Sequence, residues 1–284
     1  MVKLGTCSWK YDSWKGIVYS ENDKKNYLKE YSKKFDTVEI DQWFWSLFSP
    51  SKVVLPQKKV AEEYSKSVPR NFLFTIKVPN SISLTHFYKE SKEEELRTNP
   101  YFLSIEIFQE FLNSIEPILD QTGCLIFQFE YLNKQKIKSL SDFQLRFSDF
   151  RNQMKSSVPP IGIEIRNPNY LNEKYFRFLM EQKIVPVLLE GYYMPSVIET
   201  YSKFKEYIRE VVVLRLHGPD RQGIEKISNE NWNQIYIKRD KEINSLVEMI
   251  KEMQKDQVDL FVNVNNHFEG SAPLTIKKIK DKLS

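Results

Sequence analysis

Hydrophobic and polar positions alternate along this chain in one repeating local pattern. Short apolar runs of strand length stand at 2–9 ("VKLGTCSW"), 36–41 ("DTVEID"), 72–78 ("FLFTIKV"), 123–129 ("GCLIFQF"), 161–167 ("IGIEIRN"), 185–190 ("VPVLLE"), 211–218 ("VVVLRLHG") and 260–267 ("LFVNVNNH"). They are rich in Val, Ile and Phe and apolar on both faces, the pattern of parallel strands covered by helices. Between them, apolar residues recur at helical spacing: Tyr27, Leu28, Tyr31 and Phe35; Phe102, Ile105, Phe108, Leu112, Ile115 and Leu119; Phe143, Phe147, Phe150 and Met154; Tyr175, Phe176 and Leu179; Val197, Tyr201, Phe204 and Ile208; Ile243, Leu246, Val247 and Ile250. These stripes read as core packing. A closing helix is predicted over "APLTIKKIKDKLS", with Pro273 in its first turn.

Two segments fit the alternation less well. "SPSKVVLPQKKVAEEYSKS" reads as helix broken at Pro56. Residues 81–100 are charged and unpatterned, so they read as a loop or lid. With no linker and no shift in composition, the repeated βα alternation predicts a single (β/α)8 TIM barrel, one domain over residues 1–284. A doubly wound open sheet is the alternative, but no glycine-rich phosphate loop follows the first strand.

The strands begin apolar and finish polar. Their C-terminal ends carry Ser8 and Trp9; Glu39 and Asp41; Lys77; Gln128 and Glu130; Glu164 and Arg166; Glu190; Arg215 and His217; and Asn263, Asn265, Asn266 and His267. Buried amides, imidazoles and charges need partners, and in a (β/α)8 barrel these ends form the functional face. Side-chain alternation puts Glu39 with Asp41, Glu164 with Arg166, Arg215 with His217, and Asn263 with Asn265 and His267 on shared inward faces. Ile40, Ile165, Leu216 and Val264 then face the helices, and only Asn266 departs from the rule.

Composition narrows the classes. Hydrophobic residues make up 41% and charged residues 28%, ordinary for a globular protein. Lys plus Arg is 42 against 38 Asp plus Glu, a net charge of +4 that neither demands nor excludes nucleic acid. No stretch is long and apolar enough for a membrane span, and no secretory leader is visible at the N-terminus, so a cytoplasmic location without a membrane partner is expected. Cys7 and Cys124 read as reduced core thiols.

The polar ends contain the candidate chemistry. All 3 histidines, His86, His217 and His267, stand at or just past strand ends. Glu39, Glu164, His217 and His267 are the candidate acid–base groups. The opposing reading makes Glu39 and Glu164 structural partners of Arg166 and Arg215. Lys77, Arg166 and Arg215 together would hold a phosphate or carboxylate. Trp9, His86, Gln128, Asn265 and Asn266 complete the candidate ligand contacts. Trp9, Trp14, Trp43, Phe44 and Trp45 would stack on a ring or base, although packing explains most of them.

Seven ordered stretches, "GTCSWKYDSWKG", "FDTVEIDQWFWSL", "FLFTIKVPNSISLTH", "GCLIFQF", "IGIEIRNP", "VVVLRLHG" and "NVNNHFEGSAPLTIKKI", resemble the motifs of the YecE-like family, domain of unknown function 72. The resemblance runs from Gly5 to about Ile279. It implies a TIM barrel, and places the family's characteristic positions at Ser8, Trp9, Trp14, Glu39, Lys77, Thr85, His86, Gln128, Glu164, Arg166, Arg215, His217, Gly218, Asn265, Asn266 and His267. The chain departs from the family pattern at Asp41, where Asn is usual, and in the enlarged "WFW". A tryptophan usual in the helix after strand two also has no counterpart near Pro56. The resemblance implies no particular reaction.

Three functions follow as expectations. The leading one is an enzyme holding a small anionic ligand at the strand ends and moving a proton with the histidines and carboxylates. The second is a divalent-metal phosphodiesterase or isomerase using the histidines with Glu39, Asp41 and Glu164, against which stand the adjacent arginines and the lack of a compact ligand motif. The third is a non-catalytic binder of nucleotide or nucleic acid. No cofactor and no metal ligand set is assigned from the residues.

Overall fold

The computed structural model describes residues 1–20, 26–49, 52–89 and 93–284. Strands in chain order are β1 (Val2–Thr6), β2 (Thr37–Ile40), β3 (Leu47–Ser49), β4 (Lys52–Val53), β5 (Leu73–Lys77), β6 (Thr122–Phe129), β7 (Ile161–Ile165), β8 (Val185–Gly191), β9 (Val211–Gly218) and β10 (Asp259–Val264). Eight of them close into a barrel in the order β1-β10-β9-β8-β7-β6-β5-β2. Every pairing in it is parallel, and β10 returns to β1 with Val2 opposite Leu260 and Thr6 opposite Val264. All eight runs read from the sequence are barrel strands.

The helices are α1 (Tyr27–Tyr31), α2 (Lys58–Ser67), α3 (Asn80–Ser83), α4 (Ile105–Ser114), α5 (Leu140–Asn152), α6 (Glu173–Glu181), α7 (Val197–Phe204), α8 (Arg221–Ser228), α9 (Asp240–Lys255) and α10 (Ala272–Leu283). Their starts are chemically marked: the side chains of Asn26, Ser104, Ser139, Asn172, Ser196 and Asp220 accept the free backbone N–H of the first turn. Their apolar stripes meet the outward faces of the strands. Between β6 and α5, for example, the rings of Phe127 and Phe147 stand edge to face at 5.5 Å, and those of Phe129 and Phe143 at 4.9 Å.

The structure corrects the sequence reading in three places. The stretch before Pro56 is not helix: β3 and β4 pair as a small antiparallel hairpin outside the barrel, and α2 begins only after it. "KVVL" is too short a run for periodicity to separate strand from helix. The segment from 81 to 100 holds the end of α3 and an extended stretch in which His86 bridges Thr98; residues 90–92 of the expected lid lie outside the described residues. Helix α8 was not anticipated, because it buries only Ile224 and Ser228 and so shows no stripe.

Inside the barrel the lower half is a dry plug of Cys124, Ile126, Val185, Val187, Val213 and Phe261. Both cysteines are free thiols and buried. The plug gives the polar layer above it an apolar floor.

Candidate active site

One pleat above the plug the same strands change character. Ile126 is followed by Gln128, Val213 by Arg215 and Phe261 by Asn263, each two residues on and therefore on the same inward face. Arg215 is almost fully buried at the centre of this layer. It donates from Nε and Nη2 to the two oxygens of Glu39, both at 2.7 Å. Its Nη1 donates to Gln128 Oε1 at 3.1 Å and to Glu164 Oε2. Glu164 accepts a further bond from Arg166 Nε at 3.0 Å, and Glu39 one from Asn263 Nδ2 at 3.1 Å. Asn263 Nδ2 also donates to Thr75 Oγ1 at 2.9 Å. A guanidinium this deep is tolerable only with such partners. Burial pushes the Glu164 carboxyl up, but Arg215 and Arg166 overcome it and hold the group at about 2.

Above this network lie the less committed groups. Lys77, at the end of β5, is buried, and its Nζ sits 3.9 Å over the Phe44 ring. Among the described residues it makes no hydrogen bond and no ion pair. Burial, aided by Arg215, brings its ammonium down to about 8, against the pull of Glu39, Glu164 and Asp41. Asp41, one pleat beyond Glu39, is pushed up to about 6 by burial and by the Glu39 charge. Arg166 keeps its Nε on Glu164 and lays its guanidinium 5.3 Å over the Tyr192 ring.

His217 stands two residues beyond Arg215, closer to the mouth. Burial and then the Arg215 charge drive its pKa well below the usual value, so it is neutral. Its Nδ1 lies 3.2 Å from Tyr192 Oη, and its Nε2 lies 3.7 Å from Cys7 Sγ. The Cys7 thiol donates to the Asn263 carbonyl at 3.4 Å. With that proton committed, the imidazole carries its own on Nε2 and accepts from the Tyr192 hydroxyl on Nδ1.

Sequence reasoning set Asp41 inward beside Glu39 but offered it a role only as a metal ligand, and it did not single out Tyr192 at all. The parity of Asp41 with Glu39 was a usable signal. Tyr192 had none, because it follows the strand at φ 54 after Gly191 at φ 124. Non-glycine residues held in that region are strained, and such strain collects at functional sites. Ser8, at φ 110 after β1, is a second such residue, its carbonyl held by the Thr6 hydroxyl at 2.5 Å.

Other expected site residues have partners of their own. Trp9 is buried edge-on to Tyr64 of α2, with ring centroids 5.1 Å apart. Asn266 caps the start of α10 by accepting from Ala272 N at 2.9 Å, and Asn265 accepts from His267 N at 2.9 Å. His267 turns to Glu225 of α8, Nε2 to Oε1 at 3.2 Å, against the edge of Trp232. His86 pairs with Thr85 Oγ1 at 3.0 Å, beside Glu130. Glu190 points outward and accepts from Val197 N at the start of α7. Among the described residues, no group of three or more His, Cys, Asp or Glu is arranged to hold a metal ion. None of their helices is long and apolar enough to cross a membrane.

A family model described as "Protein of unknown function DUF72" matches residues 3–284. The chain is a member of the DUF72 family. No curated protein matches it. Among solved structures it is similar to a DUF72 family protein from Enterococcus faecalis, at 22% identity and TM-score 0.71, covering 100% of this chain and 95% of that one. A DUF72 family protein from Thermotoga maritima is similar at 20% identity and TM-score 0.68, with coverage of 100% and 99%. At these identities the likeness establishes the shared barrel fold. In this DUF72 chain the inward Arg215, on β9, is held by carboxylates from strands β2 and β7.

Proposed function

We propose that the protein is an enzyme that binds a small anionic substrate, bearing phosphate or carboxylate, at the C-terminal strand ends and transfers a proton on it. The observation that carries this reading is Lys77, a buried ammonium that rests on a ring face and has no acceptor among the described residues. Leaving a charged donor buried and unpaired is costly, and an incoming anion would remove that cost. Arg166, held by its Nε, offers its outer guanidinium nitrogens as the second contact.

Glu39 and Glu164 serve in this reading as the clamp of Arg215, since their oxygens are occupied by its donors and those of Arg166 and Asn263. Proton transfer falls to Asp41, whose pKa of about 6 suits acid–base work near neutrality. The Tyr192 hydroxyl, backed by neutral His217, is its counterpart across the mouth.

Titration with inorganic phosphate tests the reading. Binding is expected to weaken as pH rises through about 8, where Lys77 loses its proton. Lys77→Met should weaken it by about tenfold or more, the loss expected of a charged hydrogen-bond partner. Unchanged phosphate affinity in Lys77→Met would overturn the proposal.

A further inference from the structure

Among the described residues, the exposed aromatic side chains are Trp45, Phe48, Tyr88, Tyr131 and Tyr193, from 50% to 65% exposed. All of them stand in segments that leave the C-terminal ends of barrel strands. Trp45 and Phe48 follow β2, Tyr88 follows β5, Tyr131 follows β6 and Tyr193 follows β8. The connections at the opposite end of the barrel carry no exposed aromatic among the described residues. Large rings left in water at one end only, around a polar mouth, mark a binding surface.

Part of this crown is continuous with the cations below. Lys77 Nζ lies 3.9 Å from the Phe44 ring centre, and that ring meets Trp45 edge to face at 5.2 Å. Trp45 in turn tilts against Tyr88 at 5.9 Å. Tyr88 feels the Arg166 charge as well as that of Glu130. An ammonium without an acceptor and an open aromatic pair are thus separated by one side chain, a span that an aryl phosphate or a mononucleotide bridges.

We propose that the ligand of this site carries a planar aromatic or heteroaromatic ring beside its anionic group, the ring lying on Trp45 and Tyr88 while Lys77 and Arg166 hold the anion. The inference rests on the anion-binding reading above and names the ligand class within it. Base or aryl stacking on exposed rings is tolerant of ring identity, so the class is set by planarity and charge together.

Affinities are read by isothermal titration calorimetry in the wild type and the variants, with intrinsic fluorescence added in the wild type, where Trp45 is 60% exposed while Trp9, Trp14, Trp43 and Trp232 are buried. The probes are inorganic phosphate, ribose 5-phosphate, phenyl phosphate, adenosine monophosphate and adenosine. The ring-bearing phosphates are expected to quench Trp45 and to bind about tenfold or more tightly than inorganic phosphate, as stacking on one or two rings provides. Trp45→Ala, a surface change that leaves the fold intact, should remove that advantage without altering phosphate affinity. Equal affinities with and without a ring, or an advantage that survives Trp45→Ala, would overturn the inference and leave the anion site standing. Adenosine binding through Trp45 in a protein indifferent to phosphate and to Lys77→Met would overturn the anion reading and this inference with it, leaving a ring platform alone. Single-stranded oligonucleotides binding ever more tightly with length would also overturn it, the crown then being a nucleic-acid surface.

Discussion

Lys77 sets two requirements against each other at a single residue. Its folded pKa of about 8 lies below the ordinary 10.5, so between those values the unfolded chain holds the extra proton and stability rises with pH. Below about pH 8 the buried charge is a burden on the fold. Lys77→Met is therefore expected to stabilise the protein at pH 7 by roughly 1–3 kcal/mol while weakening anion binding by about tenfold or more, as read by denaturant melts beside the phosphate titration. A lower midpoint would make Lys77 a structural counter-charge to Glu39 and Glu164. Glu164 behaves oppositely: its pKa is depressed from 4.5 to about 2, so its contribution is complete above 4.5 and is lost as pH falls toward 2. The wild type should lose stability steeply across that window, and Glu164→Gln, less stable throughout by roughly 3–5 kcal/mol, should be flatter there in urea midpoints against pH. Tyr192→Phe deletes one hydroxyl on the half-buried rim and is expected to lower the melt by less than about 1 kcal/mol, while slowing turnover of any substrate that binds at Lys77.

The ends of two adjacent strands decide where Tyr192 and His217 meet. Gly191 of β8 and Gly218 of β9 are register partners, and the register shifts between Glu190 and Gly191. A Cβ on Gly191, which has φ 124, would fall 2.2 Å from the Gly218 carbonyl oxygen. Gly191→Ala is expected to cost roughly 2–4 kcal/mol in a thermal melt and to perturb the Tyr192–His217 contact; wild-type stability in that variant would show that the close approach is not needed. The inward set of Glu39, Glu164, Arg215 and His217 was legible from alternation alone, because strand parity is a period of two that no loop can disturb. The β3–β4 hairpin and α8 were not legible, one being too short and the other too polar to carry a period.

Arg215 joins β9 to β2 and β7 across the interior of the whole barrel, with Glu39 176 positions away along the chain. Arg215→Met should cost roughly 3–5 kcal/mol by leaving two carboxylates buried without their cation, measured by urea unfolding; a change under about 1 kcal/mol would show that water replaces the guanidinium. By itself the sequence determined the eight parallel strands and the inward turn of Glu39, Glu164, Arg215 and His217, whereas Asn265 and His267 lie past the end of β10, where alternation no longer applies. Both-face apolarity and two-residue alternation are local properties, written within each strand. Only the tertiary structure decided which of those inward groups satisfy one another. A strand carries no local record of its angular position in a closed barrel, so the pairing of Arg215 with Glu39 and Glu164 stood beside an acid–base reading of the same carboxylates until closure brought both to the guanidinium. For the same reason nothing near Lys77 foretold that it would be left over the ring of Phe44. The residues placed to neutralise one another and the residue left to meet a ligand differ in their neighbours across the barrel, which closure alone supplies.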